Sequence, residues 1–128
     1  MKLKSQNPHL KIYGVEPHAA NGMFLSLQVK DAVAYIRFII SLNSFLQNDK
    51  AMKTPGKQSI ASGLSPPFVG ENAFQIVRKF CQGILLISEV EICQTVKAAF
   101  DHGLVVEPAG AAALAALLFG KVNLKSFD

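Results

Sequence analysis

The stretch LVVEPAGAAALAALLFG, residues 104–120, sets one carboxylate, Glu107, and one proline, Pro108, in front of a run of alanine, glycine and leucine. Proline at the first helical position loses only an N–H that would be unpaired there, and its φ suits a helix start. The preceding Leu104-Val105-Val106 reads as a short buried strand. Glu107 therefore stands at a strand-to-helix junction, where an acid withdrawn from water needs a partner or the positive end of the helix. Ala109, Gly110, Ala111, Ala112, Ala113, Ala115 and Ala116 leave the helix thin enough to lie close to a sheet, another helix or a bound ring. Tight core packing explains the alanines as well, but it leaves Glu107 unexplained. Gly120 followed by Lys121 reads as a C-cap with a cation near the negative helix end.

The other residues that could do chemistry are dispersed. Cys81 and Cys93 lie in helix-like stretches without metal-ligand spacing, and are expected to be reduced core thiols. His9, His18 and His102 are scattered and read as surface residues. The formal net charge of +4 comes from lysines spread along the chain, three of them (Lys2, Lys4 and Lys11) at the amino end. No aromatic residues interleave with a basic stripe, so the charge reads as a solvated surface and not as a nucleic-acid site.

The elements that must position Glu107 alternate along the chain. KIYGVEP, residues 11–17, is a strand stopped by proline. GENAFQIVRKF, residues 70–80, carries Ala73, Ile76, Val77 and Phe80 at helical spacing, and ILLI, residues 84–87, is a short buried strand. In SEVEICQTVKAAFDHG, Ser88 and Glu91 form a capping box, Ile92, Val96, Ala99 and Phe100 make one face, and Gly103 ends the helix. Strand, helix, strand, helix argues for an α/β fold. At 128 residues, 50% hydrophobic and a mean hydropathy of +0.28, the chain is greasy for a small domain. Part of a larger parallel-sheet domain has this composition, because its strands are covered on both faces. MKLKSQNPHLK does not read as a signal peptide, and the longest apolar stretch, Val33 to Leu46, is interrupted by Arg37 and Asn43. A membrane span needs about 20 apolar residues, so no membrane partner is expected.

GVEPHAANGMFLSLQ, GKQSIASGLSPPFVGENAFQIVRKF, ILLISEVEI and LVVEPAGAAALAALLFGKV, in that order, resemble the second half of the serine/threonine dehydratases and serine racemases. These are fold-type II, tryptophan-synthase-β-like, pyridoxal-phosphate enzymes. The resemblance implies part of a three-layer α/β/α parallel sheet, the second half of the large domain, with residues 1–128 as one partial domain. It implies pyridoxal phosphate as cofactor, a small hydroxy amino acid as substrate, a homo-oligomer and a cytoplasmic location. The activity implied is loss of the α-proton, followed by elimination of water and ammonia or return of the proton to the other face.

Position by position, the resemblance places Glu107 beside the cofactor ring and Gly63 in a loop facing it. Ser62 stands where relatives often carry aspartate, and an unactivated hydroxyl is no general base at neutral pH. Glu16 matches a carboxylate that binds a divalent cation in metal-dependent members, and Ala20 the backbone carbonyl ligand. The second carboxylate position is Gly22, which weakens a hard-cation site. No residue of this stretch is assigned as catalytic. The family's cofactor-bonding lysine and glycine-rich phosphate loop match positions before Met1, and its ring-nitrogen serine a position after Asp128. The expectation is an incomplete copy, inactive alone. Residues 29–56 match nothing in the family and read either as a helical insertion or as translated non-coding sequence. Two further readings stay open: a non-catalytic relative that binds a partner, and a small α/β structural domain.

Overall fold

The computed structural model describes residues 2–28 and 58–122, so the expected insertion at 29–56 lies outside the described residues. A short helix α1 (Lys2–Gln6) leads to strand β1 (Tyr13–Pro17), a 3-10 turn (His18–Ala20) and helix α2 (Gly22–Gln28). A second 3-10 turn (Ser62–Leu64) precedes helix α3 (Glu71–Phe80), strand β2 (Gly83–Ile87), helix α4 (Glu89–Asp101) and helix α5 (Pro108–Leu118). β1 and β2 pair in parallel, from Tyr13 opposite Gly83 to Pro17 opposite Ile87. Gly14 faces Ile84 in that register, and any Cβ at Gly14 would run into Ile84 Cδ1. Pro17 is the last residue of β1, where its missing N–H costs the ladder little.

Strand alternation divides the helices between the two faces. Val15 packs into the core made by the alanines of α5, while its neighbour Glu16 bonds to the start of α2. Successive side chains of a strand point to opposite faces, so α5 and α2 lie on opposite sides of the sheet and make three layers. α4 packs beside α5, and α3 beside α2. The buried core is small and centred on α5: Ala61, Ile87, Ile92, Ala112, Ala115 and Ala116. Val15, Leu64, Leu85, Val96 and Ala109 pack around it, half-buried. Single methyl groups let the α5 backbone approach both the sheet and α4.

The ends of α4 and α5 are closed as the sequence predicts. Ser88 Oγ accepts the Glu91 N–H and the Glu91 carboxylate accepts the Ser88 N–H, a complete capping box. At the far end Gly103 (φ 78°) and Leu104 donate to the carbonyls of Phe100 and Ala99. Gly120 (φ 62°) and Lys121 donate in the same way to Leu117 and Ala116. Both are Schellman closures, for which glycine at the left-handed position is the residue without a steric penalty. Lys121 Nζ also reaches Glu91 Oε1 at 2.8 Å, tying the end of α5 to the start of α4.

Three expectations are corrected. Leu104–Val106 is not a strand: no described strand pairs with it, and Val105 is 88% exposed. β-branched composition cannot form a strand without a neighbour for its N–H and C=O groups. Phe100, expected on the buried face of α4, is 68% exposed, because the face that meets α5 is carried by Ile92, Thr95 and Ala99. α3 forms as expected but buries none of its residues. Cys93 is exposed and Cys81 is half-buried at the C-cap of α3, so neither is a core thiol. Burial pushes the Cys81 thiol above its ordinary pKa.

Candidate functional site

Glu107 is the N-cap residue of α5, with extended backbone (φ −75°, ψ 158°), and Pro108 opens the helix. Its carboxylate makes no capping hydrogen bond and Glu107 is exposed, which corrects the expectation of a buried acid. With Leu104 and Val105 exposed, no described residue withdraws this carboxylate from water. Of the seven small residues in its first turns, Ala111, Ala112, Ala115 and Ala116 are buried, while Gly110 and Ala113 face outward.

The Ser62–Leu64 turn packs on the beginning of the same helix. A Cβ built on Gly63 would lie 3.2 Å from Ala109 Cβ, tighter than ordinary van der Waals contact. A side chain at 63 would push the turn away from α5. Gly63 and Glu107, 44 positions apart in sequence, are thus brought to one end of one helix. Ser62 is exposed, and its carbonyl accepts the Ser65 N–H.

Three bonds shape the segment that leads to Gly63. Ser59 Oγ accepts the Ala61 N–H at 3.0 Å, and Ala61 O accepts the Leu64 N–H at 2.9 Å. Glu89 Oε2 accepts the Ile60 N–H at 2.9 Å, a contact across 29 residues. Glu89 is a residue that the reading of the sequence passes over. The available signal was a second acid in the first turn of SEVE, beyond the one needed for the capping box.

Glu16 and Ala20 lie elsewhere. Glu16 Oε1 accepts the Met23 N–H at 3.0 Å and Oε2 the Phe24 N–H at 2.9 Å, so this carboxylate caps α2 on the other face of the sheet. Burial raises its pKa above the ordinary carboxylate value, and the two backbone N–H bonds oppose that rise. Ala20 ends the 3-10 turn before α2. Among the described residues no three His, Cys, Asp or Glu side chains come together as metal ligands. His9, His18 and His102 are exposed.

The residues present fit one side of a planar cofactor. Gly63 has no side chain, the start of α5 is thin, and the Glu107 carboxylate stands at the same end. Among the described lysines, Lys97 pairs with Asp101 and Lys121 with Glu91, and none belongs to the 58–64 segment or the start of α5. No described helix is long and apolar enough to cross a membrane.

Comparison with known proteins gives the family. The family model described as "Pyridoxal-phosphate dependent enzyme" matches residues 1–126. Serine racemase of Dictyostelium discoideum is 32% identical over 117 residues, which cover 90% of this chain and 30% of the racemase. The biosynthetic chloroplastic threonine dehydratase of Arabidopsis thaliana is 33% identical over 114 residues, 88% of this chain and 16% of that protein. Among solved structures, the threonine deaminase of T.th. superposes with a TM-score of 0.70 at 28% identity, covering 93% of this chain and 37% of its own. Maize serine racemase gives the same TM-score at 24% identity, a likeness of fold. The chain thus spans less than a third of the length of these two curated relatives.

Proposed function

This chain belongs to the family of pyridoxal-phosphate-dependent enzymes, and from that premise we propose that it is a segment of a serine/threonine dehydratase (ammonia-lyase) or serine racemase. In this reading residues 1–128 form one partial domain of the cytoplasmic enzyme, with an insertion at about 29–56 that its relatives lack. The substrate is a small amino acid, and the complete enzyme is a homo-oligomer. The observation that carries the reading is the packing of Gly63 on Ala109, which assembles a bare backbone surface and the Glu107 carboxylate at one helix end.

Pyridoxal phosphate, when bound, supplies an electron sink that makes the α-proton of an amino acid labile. The chain's own residues do simpler work. Gly63, having no side chain, lets its turn pack on Ala109 and keeps bulk off the start of α5. Glu107, set at the rigid Pro108 helix start and covered by no described element, would present its carboxylate to the bound cofactor. Neither residue moves a proton in this reading, so the segment contributes binding and electrostatics and is inert alone.

The test is Glu107→Gln in a polypeptide that joins this chain to the upstream length its relatives possess. The variant is expected to keep its far-ultraviolet circular dichroism, to shift the visible absorbance of bound pyridoxal phosphate, and to lose turnover of serine or threonine. An unchanged spectrum and rate would remove Glu107 from the site. The 128-residue chain by itself, incubated with stoichiometric pyridoxal phosphate and then borohydride, is expected to show no single labelled lysine. One labelled lysine together with ammonia release would overturn the view that it is inert.

A further inference from the structure

The two acids in the first turn of α4 have separate tasks. Glu91 closes its own helix through the Ser88 capping box and pairs with Lys121. Glu89, two residues earlier and on a different side of the turn, takes no part in the capping box. Its carboxylate reaches out of α4 to the 58–64 segment, where Oε2 accepts the Ile60 N–H at 2.9 Å. Its other oxygen, Oε1, is buried and has no hydrogen-bond partner among the described residues. Three residues beyond Ile60 stands Gly63, whose turn meets Ala109 at the start of α5. We propose that Glu89 is a positioning residue: its carboxylate anchors the 58–64 segment to the amino end of α4, and so sets where Gly63 stands relative to the start of α5 and Glu107.

Three physical points support this role. The anchor is an ionised acceptor on a backbone donor, the stronger class of hydrogen bond. It sits at the positive end of a helix, which favours the carboxylate there. It also acts on the residue that precedes a stiff unit, because Ser59 Oγ bonds the Ala61 N–H and Ala61 O bonds the Leu64 N–H. Fixing Ile60 therefore fixes the turn that carries Gly63 and does not leave slack between them. The importance of that position for cofactor binding rests on the function proposed above, whereas the anchoring itself does not.

The anchoring can be measured without cofactor in the 128-residue chain. The readout is amide hydrogen exchange at Leu64, whose N–H bonds Ala61 O in the turn that carries Gly63. Glu89→Ala is expected to speed that exchange about tenfold, the loss of a hydrogen bond to a charged acceptor. Glu89→Gln, which keeps a neutral acceptor oxygen, is expected to speed it less, about threefold. Ser88→Ala, which weakens the α4 cap and leaves Glu89 in place, serves as the control for general loosening. Equal exchange at Leu64 with and without Glu89→Ala would overturn the proposal. So would equal changes in Glu89→Ala and Ser88→Ala, or a Glu89→Gln variant that behaves as the alanine does. Failure of the cofactor experiment on Glu107 would leave these outcomes readable, so the two ideas fail separately.

Discussion

α3 and α5 make an instructive pair. α3 has a clear apolar stripe, Ala73, Ile76, Val77 and Phe80, yet buries none of its residues, and Ile76 is 49% exposed. α5 has no stripe at all, being apolar on almost every side, yet its alanines form the centre of the core. The periodic pattern states which side of α3 is meant for a partner; it does not supply one. In α5 the absence of bulk lets strands and helix come close, and closeness then selects the face. An amphipathic stripe is information about a surface, while burial belongs to the two surfaces that meet.

The largest expected effect tests that contrast directly. Ile92→Ala empties a fully buried site on α4 facing the α5 alanines, and should cost about 2–5 kcal/mol. Ile76→Ala on the stripe of α3 should stay within about 0.5 kcal/mol, the usual range for surface changes. Urea midpoints of both variants check the pair, and equal costs would mean that α3 is buried in solution. Ala115→Leu should fall between them, at about 1–3 kcal/mol, because the added bulk must be forced between α5 and its neighbours.

The capping of α4 comes next. Ser88→Ala removes the hydroxyl that accepts the Glu91 N–H, and should cost about 0.5–2 kcal/mol in the same unfolding measurement. Acid should reproduce part of this loss. The Lys121 ammonium, then the Ser88 N–H, hold Glu91 below the ordinary carboxylate pKa. Its stabilisation is therefore fully present above that ordinary value and lost as pH falls through the lowered one. Glu16 works in the opposite sense. Its raised pKa makes its contribution greatest below the ordinary carboxylate value and lost as pH rises through the raised one. Unfolding followed from acid to neutral pH should separate the two, with Glu91→Gln flattening the acid limb and Glu16→Gln the limb above it.

The smallest effect on stability should be the clearest on association. Ile76→Lys should leave the urea midpoint within about 0.5 kcal/mol. Exposed Phe100, Val105 and Ile76 give the chain apolar surface of the kind that draws molecules together. Sedimentation velocity should therefore show concentration-dependent association of the parent chain, reduced by Ile76→Lys. A parent that stays monomeric at all concentrations would show that this surface is covered within the chain.

Much of the fold was legible because its signals are local. The strand at GVEP, the strand at ILLI, the Ser88 capping box, Pro108 and the glycines at 103 and 120 each act through bonds within a few residues. The candidate site was legible only in part. Gly63 and Glu107 could be named from the family's motifs, and the packing of Gly63 on Ala109 then placed them together. Glu89 carried no motif, since its partner Ile60 lies 29 residues away.

The sequence alone determined where α4 and α5 begin and end, since caps, proline and left-handed glycines are set by short-range sterics and hydrogen bonds. Which side of each element is covered was decided by the tertiary structure alone. Leu104 and Val105 have the composition of a buried strand and lie exposed, while the Glu16 carboxylate turns to the other face of the sheet and caps α2. In both cases the outcome depends on what arrives beside the residue, and proximity between distant segments is a property of the folded chain.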